Sequence, residues 1–351
     1  MQIIVTTSPG IEDIVEAEVR ALAAADGVEV LAVEHPHDDR PGRISIHLDQ
    51  PRTAAVALVR RMRTIHHILR PLARLPLSED APMRALRGAV SALDVPELAD
   101  AERFRVTGYR KGAHDFTSID LQRAVGAGLI DTYGTAVGLK EFDVEIRADV
   151  VDDHCNVGVQ ITRRAISRGT WRPYRPRTAL KTNLAVAMLL LAGDRSPGVL
   201  LDPFCGSGTI LIEAAQTFPD ARLLGVEKFD RPFSGAQKNL QHFGVSATLT
   251  QGDGRFLDES MPAGSVDLIV TNPPFGVRLG GQVDFDFFYD RVLAGAAHVL
   301  RPGGRIALLA WHRKPMNRAI RRNKYLHSVH VRIVDMGGLY PGFFLLERAE
   351  A

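Results

Sequence analysis

The apolar positions follow two different patterns along the chain. In the first 163 residues, strand-length runs with alternating polarity are mixed with helical stretches. Residues 2–6 read as a strand, Ser8-Pro9-Gly10 as a turn, and 11–25 as an amphipathic helix. Strands are predicted around 28–34 and 43–48, with a helix near 51–63. A second unit opens at Phe104-Arg105-Val106. Thr117-Ser118-Ile119-Asp120 then fits a capping box, starting a helix that runs to about Tyr133 and stops at Gly134. In FDVEIRADVV, Phe142, Val144, Ile146, Ala148 and Val150 alternate with Asp143, Glu145, Arg147 and Asp149. After Asp152-Asp153 the alternation resumes through Cys155, Val157, Val159 and Ile161, which predicts a β-hairpin with Cys155 on its apolar side.

After residue 180 short apolar runs alternate with amphipathic stretches. Strands fit 198–202, 222–227, 247–251, 266–271 and 305–311, with helices at 208–218, 232–243 and 284–300 between them. Two more strands, near 328–335 and 342–347, close the series. Repeated strand–helix units imply a mostly parallel, doubly wound α/β sheet. The run LAVAMLLLAG (184–193) is about half a membrane span and reads as a buried helix. Between the halves, RRAISRGTWRPYRPRTAL carries Arg163, Arg164, Arg168, Arg172, Arg175 and Arg177 without an acid. Pro173 and Pro176 disfavour regular structure, so the stretch reads as a basic linker over 164–180.

Composition narrows the class. The 351 residues suggest more than one domain, and the net charge of +2 leaves any nucleic-acid affinity to local basic patches. Two isolated cysteines and no HExxH argue against a disulfide framework or a metal site. MQIIVTTSPG lacks the pattern of a signal peptide, so a cytoplasmic protein without a membrane anchor is expected.

Four stretches carry candidate chemistry. In GVLLDPFCGSGTILIEAA (198–215) an apolar strand ends at Asp202, a glycine-rich loop follows, and a helix starts near Gly208. Gly206 and Gly208 let the backbone approach a ligand. The stretch is neither GK[ST] nor GxGxxG, and an acid at the strand tip would repel a pyrophosphate. It suits a cationic ligand such as S-adenosylmethionine, which has a sulfonium and an ammonium group. In RLLGVEKFD, Glu227 ends the second strand, where an acid accepts bonds from ribose hydroxyls; dinucleotide sites do the same. Asp253, in TQGDGRF, follows the third strand and is placed to accept an adenine amino group.

The fourth stretch is VTNPPFGVRL (270–279). Pro273 and Pro274 end the strand abruptly and present Asn272 and Phe275 at the sheet edge. An exocyclic amine on a base is a poor nucleophile because its lone pair is delocalised. Acceptors aligned with its N–H bonds localise that pair, and the side-chain oxygen of Asn272 and the carbonyl of Pro273 can supply them. Pro274 would stiffen the turn and Phe275 would stack on a base lifted out of its helix. No covalent nucleophile is required, so Cys205 is read as a packing residue.

DPFCGSGTI, then an acid, then GD, then NPPF resembles the amino-group methyltransferases that use S-adenosylmethionine. DPFCGSGTILIEAA is similar to the THUMP-domain RNA guanine-N2 methyltransferases, within them the tRNA-modifying group that acts on the acceptor stem. TTSPGIEDIVEAEVRAL resembles the ferredoxin-like start of those proteins, and FRVTGYRKGAHDFTSIDLQRAVG with FDVEIRADVVDDHCNVGVQITRR resembles their THUMP domain. The resemblance implies a ferredoxin-like domain over 1–65, with 66–100 connecting, and a THUMP domain over 66–163. It implies a Rossmann-like methyltransferase domain over 181–351, seven-stranded with its last strand antiparallel. By position, Asp202, Pro203, Phe204, Gly206, Ser207, Gly208 and Thr209 would line the cofactor loop. Glu227 would hold the ribose and Asp253 the adenine, Lys228 and Gly254 would also contact the cofactor, and Asn272, Pro273, Pro274 and Phe275 would hold the target base, with Asn272 also beside the cofactor. One departure is visible in TALKTNLAVAML, where Thr182 stands at a position that is often proline in the family.

The basic stretches fit an RNA partner. Arg168, Arg172, Arg175 and Arg177 lie in the linker with Trp171 and Tyr174 interleaved. Arg313, Lys314, Arg318, Arg321, Arg322 and Lys324 follow the fifth strand. Both runs are expected to neutralise phosphates. The expected activity is methyl transfer from S-adenosylmethionine to guanine N2 in tRNA, by a monomer. The alternatives are ribosomal RNA as substrate, adenine-N6 methylation, and a non-catalytic RNA-binding adaptor.

Overall fold

The computed structural model describes residues 1–35, 40–193, 196–274 and 283–350. The chain forms two compact units, one of Met1–Thr7 with Glu16–Ile166 and one of Ser8–Val15 with Ser167–Ala351.

The first unit is built on one eight-stranded sheet. Its strands are β1 (Gln2–Thr6), β2 (Val30–Glu34), β3 (Arg43–Leu48), β4 (His67–Pro76), β5 (Arg103–Lys111), β6 (Ala136–Val137), β7 (Val144–Val151) and β8 (His154–Gln160). Their order across the sheet is β2-β3-β1-β4-β8-β7-β5-β6. The helices of this half of the chain are α1 (Glu12–Ala25), α2 (Arg52–Val59), α3 (Pro82–Ser91) and α4 (Ser118–Tyr133). Leu86 and Val90 of α3 and Leu121, Val125 and Leu129 of α4 pack on Phe104, Ile146, Val150 and Cys155 of the sheet. The capping box at Thr117 and Asp120 forms, and Gly134 ends α4 in a left-handed conformation. The hairpin β7–β8 turns at Asp152, the one non-glycine residue with positive φ among the described residues.

Residues 66–100, read from the sequence as a connection, contribute β4 and α3. Prolines inside β4 disguise it as a loop. Pro71 is tolerated because the pairing with β8 shifts register between Pro71 and Ala73, where a missing N–H costs no ladder bond.

The second unit is a doubly wound domain. Its strands are β9 (Val199–Asp202), β10 (Arg222–Glu227), β11 (Ala247–Gln251), β12 (Val266–Thr271), β13 (Leu300–Ala310), β14 (Leu326–Ile333) and β15 (Gly342–Arg348). They form a seven-stranded sheet of order β11-β10-β9-β12-β13-β15-β14. The first five strands run parallel, and β15 is antiparallel to both β13 and β14. The helices α5 (Thr182–Ala192), α6 (Thr209–Thr217) and α7 (Asp230–His242) cover one face; α8 (Leu257–Ser260), α9 (Phe285–Val299) and α10 (Arg313–Arg322) cover the other. Both faces are therefore buried, which explains the unbroken apolar run of β12. Leu268 and Val270 join the core under α5 and α6, while Ile269 joins the core under α9.

The stretch expected to be a basic linker belongs to this unit from Ser167 onward. The backbone of Tyr174 exchanges two hydrogen bonds with the side chain of Asn239 on α7 (2.9 and 2.8 Å). Arg172 is buried. A chain without regular structure must satisfy its backbone polar groups elsewhere, and Asn239 supplies both a donor and an acceptor.

Candidate active site

Parallel strands deliver their C-terminal ends to one edge of the sheet, so the tips of β9, β10, β11, β12 and β13 come together. The acids at these tips lie in contrasting environments.

Asp202, at the end of β9, is 1% exposed. It accepts hydrogen bonds from the hydroxyl of Thr271 (2.7 Å) and the backbone N–H of Phe204 (3.1 Å). Burial pushes its carboxyl up to about 7, and the neighbouring charge of Glu227 adds to the rise against those two bonds. No cationic side chain bonds to it among the described residues.

Glu227, at the end of β10, is also buried. One of its oxygens accepts the N–H of Gly206 (3.0 Å) and the other that of Phe229 (2.9 Å). Each oxygen keeps acceptor capacity, as a pair of ribose hydroxyls requires. Lys228 is exposed and turns to Asp253 (3.0 Å). Asp253 also accepts bonds from Arg255 at 2.6 and 3.0 Å. Burial opposes its ionisation, but hydrogen bonds from Arg255 and Lys228 outweigh it and hold the carboxyl well below its usual range.

The loop between β9 and α6 is shaped by its glycines. Gly208 adopts φ 78° just before α6. At Gly254 a side chain would collide with the carbonyl oxygen of Pro203, so this glycine lets the β11–α8 loop close on the first loop. Ser207 and Thr209 are buried, 3.3 Å apart, and face protein partners. Cys205 is buried, and burial together with Asp202 and Glu227 pushes its thiol far above the usual range, which disqualifies it as a nucleophile.

Asn272 follows β12 directly. Its side-chain oxygen is buried and has no hydrogen-bond partner among the described residues. A buried amide oxygen without a donor is costly, on the order of 1–3 kcal/mol, so this atom calls for a donor that the described residues do not supply. Pro273 is buried and Pro274 exposed. Phe275 lies outside the described residues.

Three contributors escaped the sequence reading. Thr271 and Asn239 are completely buried polar residues that hold Asp202 and the carbonyl of Ser207, respectively. Arg172, grouped by sequence with phosphate-contacting arginines, is 6% exposed and donates to the hydroxyl of Thr209 (2.8 Å). That reading is corrected: Arg172 braces the start of α6, and it is too buried to meet an RNA backbone. The signal was available in Thr271, a polar residue beside Asn272 in a doubly buried strand. Asn239 and Arg172 gave none, because their partners lie 32 and 37 positions away.

Arg168, Arg175 and Arg177 are exposed, as are Arg313, Lys314 and Arg321. Arg322 is exposed but paired with Asp290 (2.8 Å) and Asp286 (3.2 Å), and Arg318 is paired with Asp286 (2.5 Å). Two of the six cationic residues of the second run are therefore answered by acids of α9. No helix among the described residues is long and apolar enough to cross a membrane.

A buried, cation-free carboxylate, a second acid with spare acceptor capacity and an unpartnered amide oxygen fit a cation-bearing nucleoside donor beside an amine acceptor. Residues 169–341 match the family described as RMKL-like, methyltransferase domain, and residues 81–160 match the THUMP domain. The chain is 38% identical to a tRNA (guanine(6)-N2)-methyltransferase of Thermus thermophilus, covering 98% of both proteins. It is 30% identical to an enzyme of the same name from Archaeoglobus fulgidus, covering 95% of this chain and 89% of that one. The crystal structure of TrmN from Thermus thermophilus superimposes with a TM-score of 0.82 at 36% identity, covering 99% of each chain. The chain thus belongs to the THUMP-domain family of S-adenosylmethionine-dependent methyltransferases that includes these tRNA (guanine(6)-N2)-methyltransferases.

Proposed function

We propose that the protein transfers a methyl group from S-adenosylmethionine to the exocyclic N2 of a guanosine in tRNA, at position 6 in the acceptor stem. The orphaned side-chain oxygen of Asn272 carries this reading. The position follows the names of the two relatives.

The donor supplies a methyl group on a sulfonium. Around it, Asp202 offers the buried negative charge that a sulfonium and an ammonium group favour. Glu227 takes the ribose hydroxyls, and Asp253 with Gly254 borders the adenine. Pro203, Phe204, Gly206 and Gly208 shape the loop against the nucleoside, and Lys228 stands at its rim. Asn272 accepts one N–H of the target amine and the carbonyl of Pro273 the other, localising the nitrogen lone pair toward the methyl group. Pro274 holds that carbonyl still, and Phe275 is assigned the face of the base. A stem guanine must leave its stack to reach these groups. The exposed Arg168, Arg175, Arg177, Arg313, Lys314 and Arg321 take the phosphates, and the THUMP domain binds structured RNA by shape.

The test presents labelled S-adenosylmethionine with unmodified tRNA transcripts, ribosomal RNA and DNA, and identifies labelled nucleosides by mass spectrometry. N2-methylguanosine from tRNA, mapped to position 6, is the expected product. Label only in ribosomal RNA or in methyladenine would overturn the substrate.

A further inference from the structure

Acceptors at Asn272 and Pro273 suit any exocyclic amine. They serve guanine N2 and adenine N6 equally, so selection of guanine must come from another group at the same edge. The two bases differ at the ring position meta to the amine. Guanine places the acceptor O6 there, whereas adenine and 2-aminopurine place a C–H.

Strand β13 runs parallel to β12, with Thr271 paired to Leu308. It ends at Ala310, and His312 follows two residues later. Adjacent strands are about 4.8 Å apart, close to the span between the two exocyclic substituents of a guanine six-membered ring.

His312 is held firmly. Its ring lies 3.8 Å from that of Phe285, centroid to centroid, at 31°. Phe285 in turn packs on Phe288 and Tyr289 (6.2 and 6.0 Å). Phe288 packs on Phe204 of the first loop (5.8 Å), so an aromatic row connects the cofactor loop to His312. The backbone carbonyl of His312 accepts the N–H of Met316 (3.2 Å). The ring is partly exposed, and neither ring nitrogen makes a hydrogen bond among the described residues. A fixed imidazole with an unused N–H, two residues past the end of the strand beside β12, is suited to reading the edge of a base held at Asn272. Arg313 and Lys314, exposed in the next turn, offer charge to the same nucleotide's phosphates.

We infer that His312 selects guanine by donating an imidazole N–H to O6 while Asn272 and Pro273 hold the N2 amine. This assignment rests on the function proposed above. Its test uses tRNA ligated from synthetic halves with guanine or 2-aminopurine at position 6, methylated by wild type and by His312→Phe. The phenylalanine keeps a ring against Phe285 and removes the donor. The wild type should favour guanine, and the variant should lose roughly ten- to hundredfold of that preference in kcat/KM, with 2-aminopurine methylated as before. The preference is a ratio within one preparation, so a fall in folded protein cancels. An unchanged preference in the variant overturns the role of His312 and leaves the activity standing. A wild type that forms no N2-methylguanine overturns the function, and this assignment with it.

Discussion

Asp202 and Asp253 are the same residue type at the ends of β9 and β11, with β10 between them, yet their surroundings differ. Asp202 is stripped of water, has no cation of its own, and its carboxyl is pushed up to about 7. Asp253 is held ionised by Arg255 and Lys228. The first has no cationic partner among the described residues, which is what the function proposed above requires of it; the second already has two, Arg255 and Lys228. A charge in a sequence therefore says little about function until its partners are known. The second basic run teaches the same lesson, since Arg318 and Arg322 face acids of α9 while Arg313, Lys314 and Arg321 remain exposed.

Substitution should separate the two acids most strongly. Asp202→Asn is expected to weaken S-adenosylmethionine binding by roughly a hundredfold or more, because a buried cation loses its counter-charge. Asp253→Asn should lose about tenfold or less. Calorimetric titration of both variants measures the gap, and equal losses would break the comparison.

Stability should follow the same division. In the unfolded chain Asp202 ionises near the ordinary carboxylate value, but in the fold its pKa is raised to about 7. The protonated form is favoured by folding, so stability falls as pH rises from about 4 to about 7 and is level above that. Asp202→Asn should remove this decline, worth on the order of a few kcal/mol at pH 8. Asp253 has the opposite sign: its lowered pKa contributes stability above the ordinary carboxylate range and loses it as pH falls toward the folded value. Urea unfolding across pH reads both effects.

Cofactor affinity should also carry the signature of Asp202. Binding of a cation needs the ionised carboxylate, so affinity should rise about tenfold between pH 6 and pH 8 and plateau beyond. Binding near pH 6 should release a proton, seen as a dependence of calorimetric heat on the buffer. Asp253→Asn should keep this profile and Asp202→Asn should lose it. The smallest effect concerns the basic runs. Replacing Arg313 and Lys314 together by alanine should flatten the salt dependence of tRNA binding by a slope of about 1–2, whereas Arg322→Ala should leave it nearly unchanged.

Much of this edge could be read directly from the sequence. Asp202, Glu227 and Asn272 each follow a short apolar run, and the polarity change at a buried strand's end marks the sheet edge. The groups that hold them could not be read that way. Arg172 looked solvent-facing because it sits among arginines and prolines, and only the fold brings it to Thr209. In the first unit, β4 was hidden by Pro71 and Pro76 and by Arg70 and Arg74 within its run. His312 precedes the second basic run and carried no signal of its own, because the aromatic row from Phe204 through Phe288 and Phe285 that holds it is assembled only by the fold.

The most direct measurement compares wild type with Asn272→Ala in single-turnover methylation of a tRNA transcript, with S-adenosylmethionine affinity determined on the same samples. The account predicts that the variant binds the cofactor within about threefold of wild type and loses roughly a thousandfold or more in methyl transfer. A variant that methylates tRNA guanine at the wild-type rate would contradict it, because the orphaned oxygen at the tip of β12 would then have no part in activating the amine.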